Sequence, residues 1–143
     1  MLDLTLKKEI VIGASAKKVW DVLTNPDHIK RYLFGTNVKC DWQKGSTLTF
    51  TGEYQGQSYE DHGTILEIEN EKLLKYDYWS SFSGVADVPE NYSTIAFRLA
   101  KKDKETTLLL TQNGFVSQDG YEHSQKNWHM VLDEIKKIAE ELQ

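Results

Sequence analysis

Residues 128–142 read WHMVLDEIKKIAEEL, and this stretch decides the fold. Its apolar side chains recur at intervals of three and four residues, while acids and lysines fill the positions between them. That spacing gives an α-helix one apolar stripe and one charged face. The pattern predicts a long amphipathic helix over residues 121–142, whose apolar stripe has to be buried against another layer of the protein.

A β-sheet is predicted as that second layer. The segment from Thr36 to Phe115 lacks a helical period and consists of β-branched and aromatic runs separated by turn signals. Its six predicted strands span residues 36–42, 46–54, 58–69, 73–80, 91–101 and 105–115. A seventh is predicted at the N-terminus, where apolar residues share one parity at Leu2, Leu4, Leu6, Ile10 and Ile12. Short loops require consecutive strands to be antiparallel, because a parallel return needs a crossover of about a dozen residues.

Two short helices are predicted between the first strand and the others. Ser15 is a suitable N-cap for the first, Asn25-Pro26-Asp27 is suited to begin the second, and Gly35 is placed to end it. The predicted fold class is therefore α+β, with the element order β-α-α-β-β-β-β-β-β-α. No internal repeat or linker divides the sequence, so we expect a single domain over residues 1–143.

Composition and charge narrow the class of protein. Hydrophobic residues make up 39% of the chain and charged residues 27%, which is typical of globular proteins. The 17 lysines and arginines are outnumbered by 22 acids, giving a net charge of -5, which disfavours nucleic acid or an anionic membrane as partner. The sequence has neither a signal-peptide pattern nor an apolar run of about 18 residues, so we expect a cytoplasmic protein without a membrane span.

A pocket is predicted between the sheet and the last helix. If the sheet curves, as glycines at strand positions 52 and 63 allow, the helix cannot touch every inward side chain, and a gap remains for a ligand. The candidate ligand-binding residues are Phe50, Tyr54, Tyr76, Tyr78, Phe97, Gln112, Trp128 and Leu132. Core packing is the alternative for each aromatic residue. The inward amide of Gln112 needs a hydrogen-bond partner, either backbone or ligand.

Catalytic and metal-binding patterns are weak in this sequence. The four histidines lack metal-site spacing, and Cys40 is the only cysteine, so no internal disulfide is possible. Glu60-Asp61-His62 looks like part of a catalytic triad, but adjacent residues on a strand point to opposite faces. We therefore predict no catalytic residue, metal or cofactor. The segment 81–90 has no clear period and is a candidate for a flap.

Several short motifs carry a family resemblance. They are Val19-Trp20, Thr24-Asn25-Pro26-Asp27, Gly114-Phe115, and Trp128 followed by Leu132. Their order resembles the START and birch-pollen-allergen-like (SRPBCC) helix-grip superfamily, and within it the branch related to the activator of heat-shock protein 90 ATPase. The resemblance implies a curved seven-stranded sheet wrapped around a long C-terminal helix, with a cavity between them and Trp128 and Leu132 on the helix's inner surface.

Three functions are compatible with these observations. The leading hypothesis is noncatalytic binding of a small hydrophobic or amphipathic molecule in the cavity. The second, implied by the resemblance alone, is a co-chaperone-like role in the stress response, with a chaperone as partner. The third is an enzyme of the cyclase or hydrolase type that uses the same cavity, as some members of the superfamily do.

Overall fold

The computed structural model describes residues 2–142 and contains seven strands and three α-helices. In chain order these are β1 (Leu2–Ile12), α1 (Ala16–Thr24), α2 (Pro26–Tyr32), β2 (Asn37–Lys39), β3 (Thr47–Tyr54), β4 (Gln57–Glu69), β5 (Leu73–Tyr78), β6 (Ser93–Lys102), β7 (Glu105–Phe115) and α3 (Gln118–Glu141). A short 3-10 turn, Pro89–Asn91, precedes β6. The predicted fold class and element order are confirmed.

The seven strands form one antiparallel sheet in the order β1-β7-β6-β5-β4-β3-β2. Strands β2 to β7 follow one another as a meander, whereas β1 pairs with the last strand, from Thr5 opposite Asn113 to Ile12 opposite Thr106. The two short helices carry the chain from β1 at one edge to β2 at the other. The edges of the sheet are therefore joined by α1 and α2, and α3 returns across the inner face.

The sheet bends along β4. A Cβ atom at Gly63 would overlap the carbonyl oxygen of Asp77. Strands β4 and β5 therefore approach too closely at Gly63 for any side chain there. The β4–β5 register also shifts between Ile65 and Glu67, which is a bulge. Both features lie where β4 passes from its pairing with β3 to its pairing with β5, and they give the sheet its curvature.

Both short helices begin at the predicted caps. The Ser15 Oγ accepts from the backbone N–H of Lys18 at 3.3 Å. Asn25 serves two helices, because its N–H donates to the Asp21 carbonyl at the end of α1 while its side chain accepts from the Asp27 N–H at the start of α2. Gly35, with φ +102°, lies in the left-handed region just after α2, as predicted.

Two element boundaries differ from the sequence prediction by three residues, and the others differ by two or fewer. Strand β2 pairs only over Asn37–Lys39, because Trp42 has a positive φ and its N–H donates to the Cys40 sulfur instead of a neighbouring strand. Helix α3 starts at Gln118, three residues early, because the Ser117 Oγ accepts from the Gly120 N–H and caps it. Both differences come from side-chain hydrogen bonds to the local backbone.

The core lies between α3 and the concave face of the sheet. The stripe predicted for α3 is buried at Trp128, Val131, Leu132, Ile135, Ile138 and Ala139. The sheet contributes mainly large apolar residues from its central strands, among them Leu48, Phe50, Leu74, Tyr76, Ile95, Phe97, Leu108 and Leu110. These two surfaces, with the inner sides of α1 and α2, form one hydrophobic cluster.

Candidate functional site

A cavity of about 1030 Å³ lies between the sheet and the N-terminal half of α3. Its walls include Phe50, Tyr76 and Tyr78 from adjacent strands, while Trp128 and Val131 line it from α3. The rings of Phe50 and Tyr78 meet edge to face, with centroids 5.5 Å apart. Aromatic surface therefore makes up much of the wall, as in many small-molecule sites.

The mouth of the cavity is apolar and exposed. Four of its lining side chains are among the large exposed hydrophobic residues of the protein: Phe34, Tyr54, Phe82 and Met130. Phe82 contacts Tyr54 and Tyr59, with ring centroids 6.2 Å and 5.6 Å apart. Tyr54 was predicted on the buried face, yet 61% of its surface is exposed, because β3 ends there and its ring lies at the rim.

A hydrogen-bond network joins α3 to the sheet at the cavity wall. The Trp128 indole N–H donates to Gln112 Oε1 at 2.7 Å, and Gln112 Nε2 donates to the Ser93 hydroxyl at 3.3 Å. The hydrogen-bonding groups of the Gln112 amide are therefore satisfied by the side chains of Trp128 and Ser93. From the sequence, either backbone groups or a ligand had been expected as the partner. The network fixes the position of Trp128 relative to β7.

Asp61, which sequence reasoning did not select, is the buried carboxylate of this cavity. It is 6% exposed; its Oδ2 accepts from the Tyr78 hydroxyl, and its Oδ1 accepts from both the N–H and the hydroxyl of Ser81, at 2.8 and 3.0 Å. Burial of the phenol, together with the neighbouring Asp61 charge, raises the pKa of Tyr78 well above its usual value. The missed signal was strand parity, since Asp61 shares the inward side of β4 with the buried Gly63 and Ile65.

His62 points to the opposite side of β4, as the strand geometry required. Its Nε2 lies 2.9 Å from Glu60 Oε2, its Nδ1 lies 3.0 Å from Asp87 Oδ2, and its ring stacks on Trp79. Hydrogen bonds to Glu60 and then Asp87 raise the pKa of His62. Glu60, Asp61 and His62 therefore do not converge on one site.

The segment predicted as a flap is attached at three points, one of which is the Val85 carbonyl, which accepts from the Trp79 indole N–H at 3.2 Å. Ser81 is bound to Asp61 inside the cavity, and Asp87 is bound to His62 outside it. The Tyr92 hydroxyl also donates to the Asp87 carboxylate. The hydrogen bond from Tyr92, and to a smaller extent that from His62, lowers the pKa of the Asp87 carboxyl. The segment thus forms one side of the cavity mouth.

Of the eight candidate ligand-binding residues, six line the cavity: Phe50, Tyr54, Tyr76, Tyr78, Gln112 and Trp128. Phe97 lies in the core, where it packs edge-on against Trp128 at 5.7 Å and borders a void of only about 20 Å³. Leu132 is also in the core. The C-terminal half of α3 lies close to β1, since Lys136 Nζ donates to the Val11 carbonyl and Glu140 accepts from the Gly13 N–H.

Residues 2–142 contain neither a metal-binding cluster of side chains nor a membrane-spanning helix. No group of three His, Cys, Asp or Glu side chains in this range is arranged to hold a metal ion. Within the same residues, no helix combines the length and the apolar character needed to cross a bilayer.

The curved antiparallel sheet, closed by α3 over a cavity, is the helix-grip architecture of SRPBCC proteins. More narrowly, the chain belongs to the family described as "Activator of Hsp90 ATPase homolog 1-like protein", whose model matches residues 13–140.

Solved structures agree with this assignment. A protein of Cytophaga hutchinsonii, determined in solution, is 38% identical with a TM-score of 0.84, covering 98% of this chain and 96% of that one. The fold is also similar in a Mesorhizobium loti protein (20% identity, TM-score 0.79, 98% and 99% coverage) and in the Aha1 dimer from Colwellia psychrerythraea (19%, 0.76, 96% and 97%). No match was found among curated proteins.

Proposed function

We propose that this protein is a noncatalytic binding protein for a small hydrophobic or amphipathic molecule, held between the sheet and α3. The observation that carries the proposal is the cavity of about 1030 Å³ with aromatic walls. Ligand pockets in proteins commonly measure about 300–1,000 Å³, so this cavity has room for a sizeable molecule.

The wall composition supports an apolar ligand body. Phe50, Tyr76 and Trp128 line the inner wall, although at 6%, 8% and 7% exposure most of their ring surface is already packed in the core. Each Å² of apolar surface that a ligand removes from water contributes about 25 cal/mol. The exposed side chains at the rim continue that apolar surface to the outside; they are Phe34, Tyr54, Phe82 and Met130. A ligand would therefore find apolar contacts from the rim to the interior.

The placement of the titratable groups supports binding over catalysis. His62 and its two carboxylate partners lie on the outer face of β4. Asp61 faces inward, but its hydrogen bonds anchor Tyr78 and Ser81. A general base needs a free path to the proton it abstracts, and these groups are engaged in holding the structure.

Nuclear magnetic resonance titration tests the proposal. Addition of a library of alkyl and aromatic amphiphiles should shift the indole N–H of Trp128 and the side-chain amide of Gln112, while the amides of Ile138 and Ala139 stay unchanged. Ser124→Trp, which places a large ring at the cavity wall, should weaken binding about tenfold or more. Lys126→Trp, on the exposed side of α3, is the matched control. Absence of any shift at cavity residues across the library would refute the proposal.

A co-chaperone-like role is the second candidate, and the family match over residues 13–140 supports it. Such a role would use the outer surface of the protein and would be independent of a ligand. Measuring the turnover of an Hsp90-type ATPase with increasing amounts of this protein tests it. Faster turnover together with a detectable complex is the expected result, and unchanged turnover without a complex excludes the role.

A further inference from the structure

The position of Asp61 bears on which ligands the cavity accepts. It lies on the inner face of β4, directly opposite Phe50 in the β3–β4 ladder, and its carboxylate lines the cavity near the aromatic walls. Its described hydrogen-bond donors, the Tyr78 hydroxyl and the N–H and hydroxyl of Ser81, are all neutral. These donors orient the carboxylate without cancelling its charge.

The carboxylate also retains capacity for another partner. Two ionised carboxylate oxygens accept about four hydrogen bonds, and three are used here. Among the described residues that line the cavity, Asp61 is the only carboxylate, and none is a lysine or an arginine. His123 is the one other lining group able to carry charge, and it is exposed on α3. The only carboxylate or basic side chain on the inner wall among the described lining residues is therefore the acidic Asp61.

The aromatic side chains act in the same direction. Phe50 and Tyr78 lie beside Asp61, and Tyr59 precedes it by two residues on the same side of β4. The faces of aromatic rings carry partial negative charge and attract organic cations. A carboxylate beside such rings favours an ammonium group with apolar substituents.

From this arrangement we infer that the cavity selects a cationic amphipath, an apolar body bearing a protonated amine or quaternary ammonium, and places the cation against Asp61. The inference rests on the proposed binding function and adds the chemical class of the ligand. An anionic amphipath of the same shape is rejected, because its charge would be buried beside a carboxylate with no lysine or arginine to pair with it. A neutral alcohol of the same length keeps the apolar contacts and lies between the two in affinity.

Three ligands with one common chain test the inference: octylammonium, octanol and octanoate. Affinities are measured at pH 7 from the Trp128 indole resonance of the full chain. Octylammonium should bind about tenfold or more tightly than octanol, since hydrogen bonds to charged groups contribute at least that factor, and octanoate should bind more weakly than octanol. Added salt should reduce the preference for the cation.

Variants assign the preference to Asp61. Asp61→Asn should remove the advantage of octylammonium over octanol while octanol binding remains. Glu67→Gln changes the net charge equally on an exposed position and should leave the advantage intact. Asp61→Ser also removes the charge and should abolish the same advantage, which provides a second variant if Asp61→Asn does not fold.

The experiments distinguish failure of the inferred cation preference from failure of the proposed binding function. Octanol binding with equal or tighter binding of octanoate than of octylammonium overturns the inference and leaves the binding function standing. An unchanged cation preference in folded Asp61→Asn also overturns it. Failure of all three ligands to bind contradicts the binding function and, with it, the inference.

Discussion

Trp128 of α3 and Gln112 of β7 are joined by a buried hydrogen bond of 2.7 Å between the indole N–H and Oε1. This bond connects the long helix to the sheet where the cavity begins. It also positions the indole ring that packs edge-on against Phe97. The width of the cavity therefore depends on a polar contact between side chains of two consecutive elements, β7 and α3.

Gln112→Leu tests the strength of this contact. The substitution leaves the Trp128 N–H buried without its acceptor, which should lower the free energy of unfolding by about 1–3 kcal/mol. Urea denaturation followed by far-ultraviolet circular dichroism measures the loss. In the Trp128→Phe background the same substitution should cost less, because no donor is left unpaired, and strictly additive losses would contradict this account.

Leu132 and Tyr54 should differ sharply in their effect on stability. Leu132→Ala removes a buried side chain from the tightly packed part of α3, so we expect a loss of about 2–5 kcal/mol. Tyr54→Ala removes a ring that is mostly exposed at the cavity rim and should cost less than about 1 kcal/mol. Chemical denaturation of both variants provides the comparison, and similar losses would show that the rim is part of the folding core.

Gly63→Ala should be strongly destabilising. The added Cβ would overlap the backbone carbonyl oxygen of Asp77, and backbone cannot move without disturbing the β4–β5 pairing. We expect a loss above about 2 kcal/mol, in the range of overpacked or strained sites. Gly52→Ala is the control, since its Cβ would meet the hydroxyl end of a side chain, Tyr59, and not backbone, and that side chain can turn away at the cost of its hydrogen bond to Thr36. Equal melting temperatures for the two variants would refute the close approach.

The charge of His62 should make stability depend on pH. Because Glu60 and Asp87 raise its folded-state pKa above the unfolded value, the protonated form stabilises the fold. The stability difference between the wild type and His62→Gln should be largest below the unfolded pKa of about 6.5 and decline as pH rises through the folded pKa. Urea titrations from pH 5 to 9 measure this, and Asp87→Asn should reduce the pH dependence. A difference that grows with rising pH would have the wrong sign.

Sequence patterns predicted the fold well because its elements are encoded locally. The stripe of α3 and the caps at Ser15 and Asn25 each depend on residues within a few positions, and the structure has them as predicted. The curvature was also foreseeable from Gly63, where only a glycine permits the approach of β5. The start of α3 was missed because Ser117 was not recognised as its cap.

The cavity was harder to predict because its shape depends on the distance between helix and sheet. Strand alternation places Phe97 on the inner face of the sheet but does not say whether α3 packs against it. Long-range contacts, such as the Gly13–Glu140 hydrogen bond, decide where α3 lies close to the sheet. Asp61 was not among the predicted site residues, although strand parity places it on the inner side of β4 with Gly63 and Ile65. Its partner Ser81 lies twenty residues away, beyond any local pattern.

The two halves of α3 differ in their surroundings, since one packs in the core and the other lines the cavity. Residues 135–139 hold the helix in the core, whereas residues 123–131 include the side chains that face the cavity. Trp128 and Val131 of the second group are buried in the core, but Ser124, Asn127 and Met130 are half-buried or exposed and can be exchanged with less risk to folding. The specificity of this scaffold is therefore open to redesign at those three positions. A library of variants confined to these three positions would test binding of new ligands while the core residues stay unchanged.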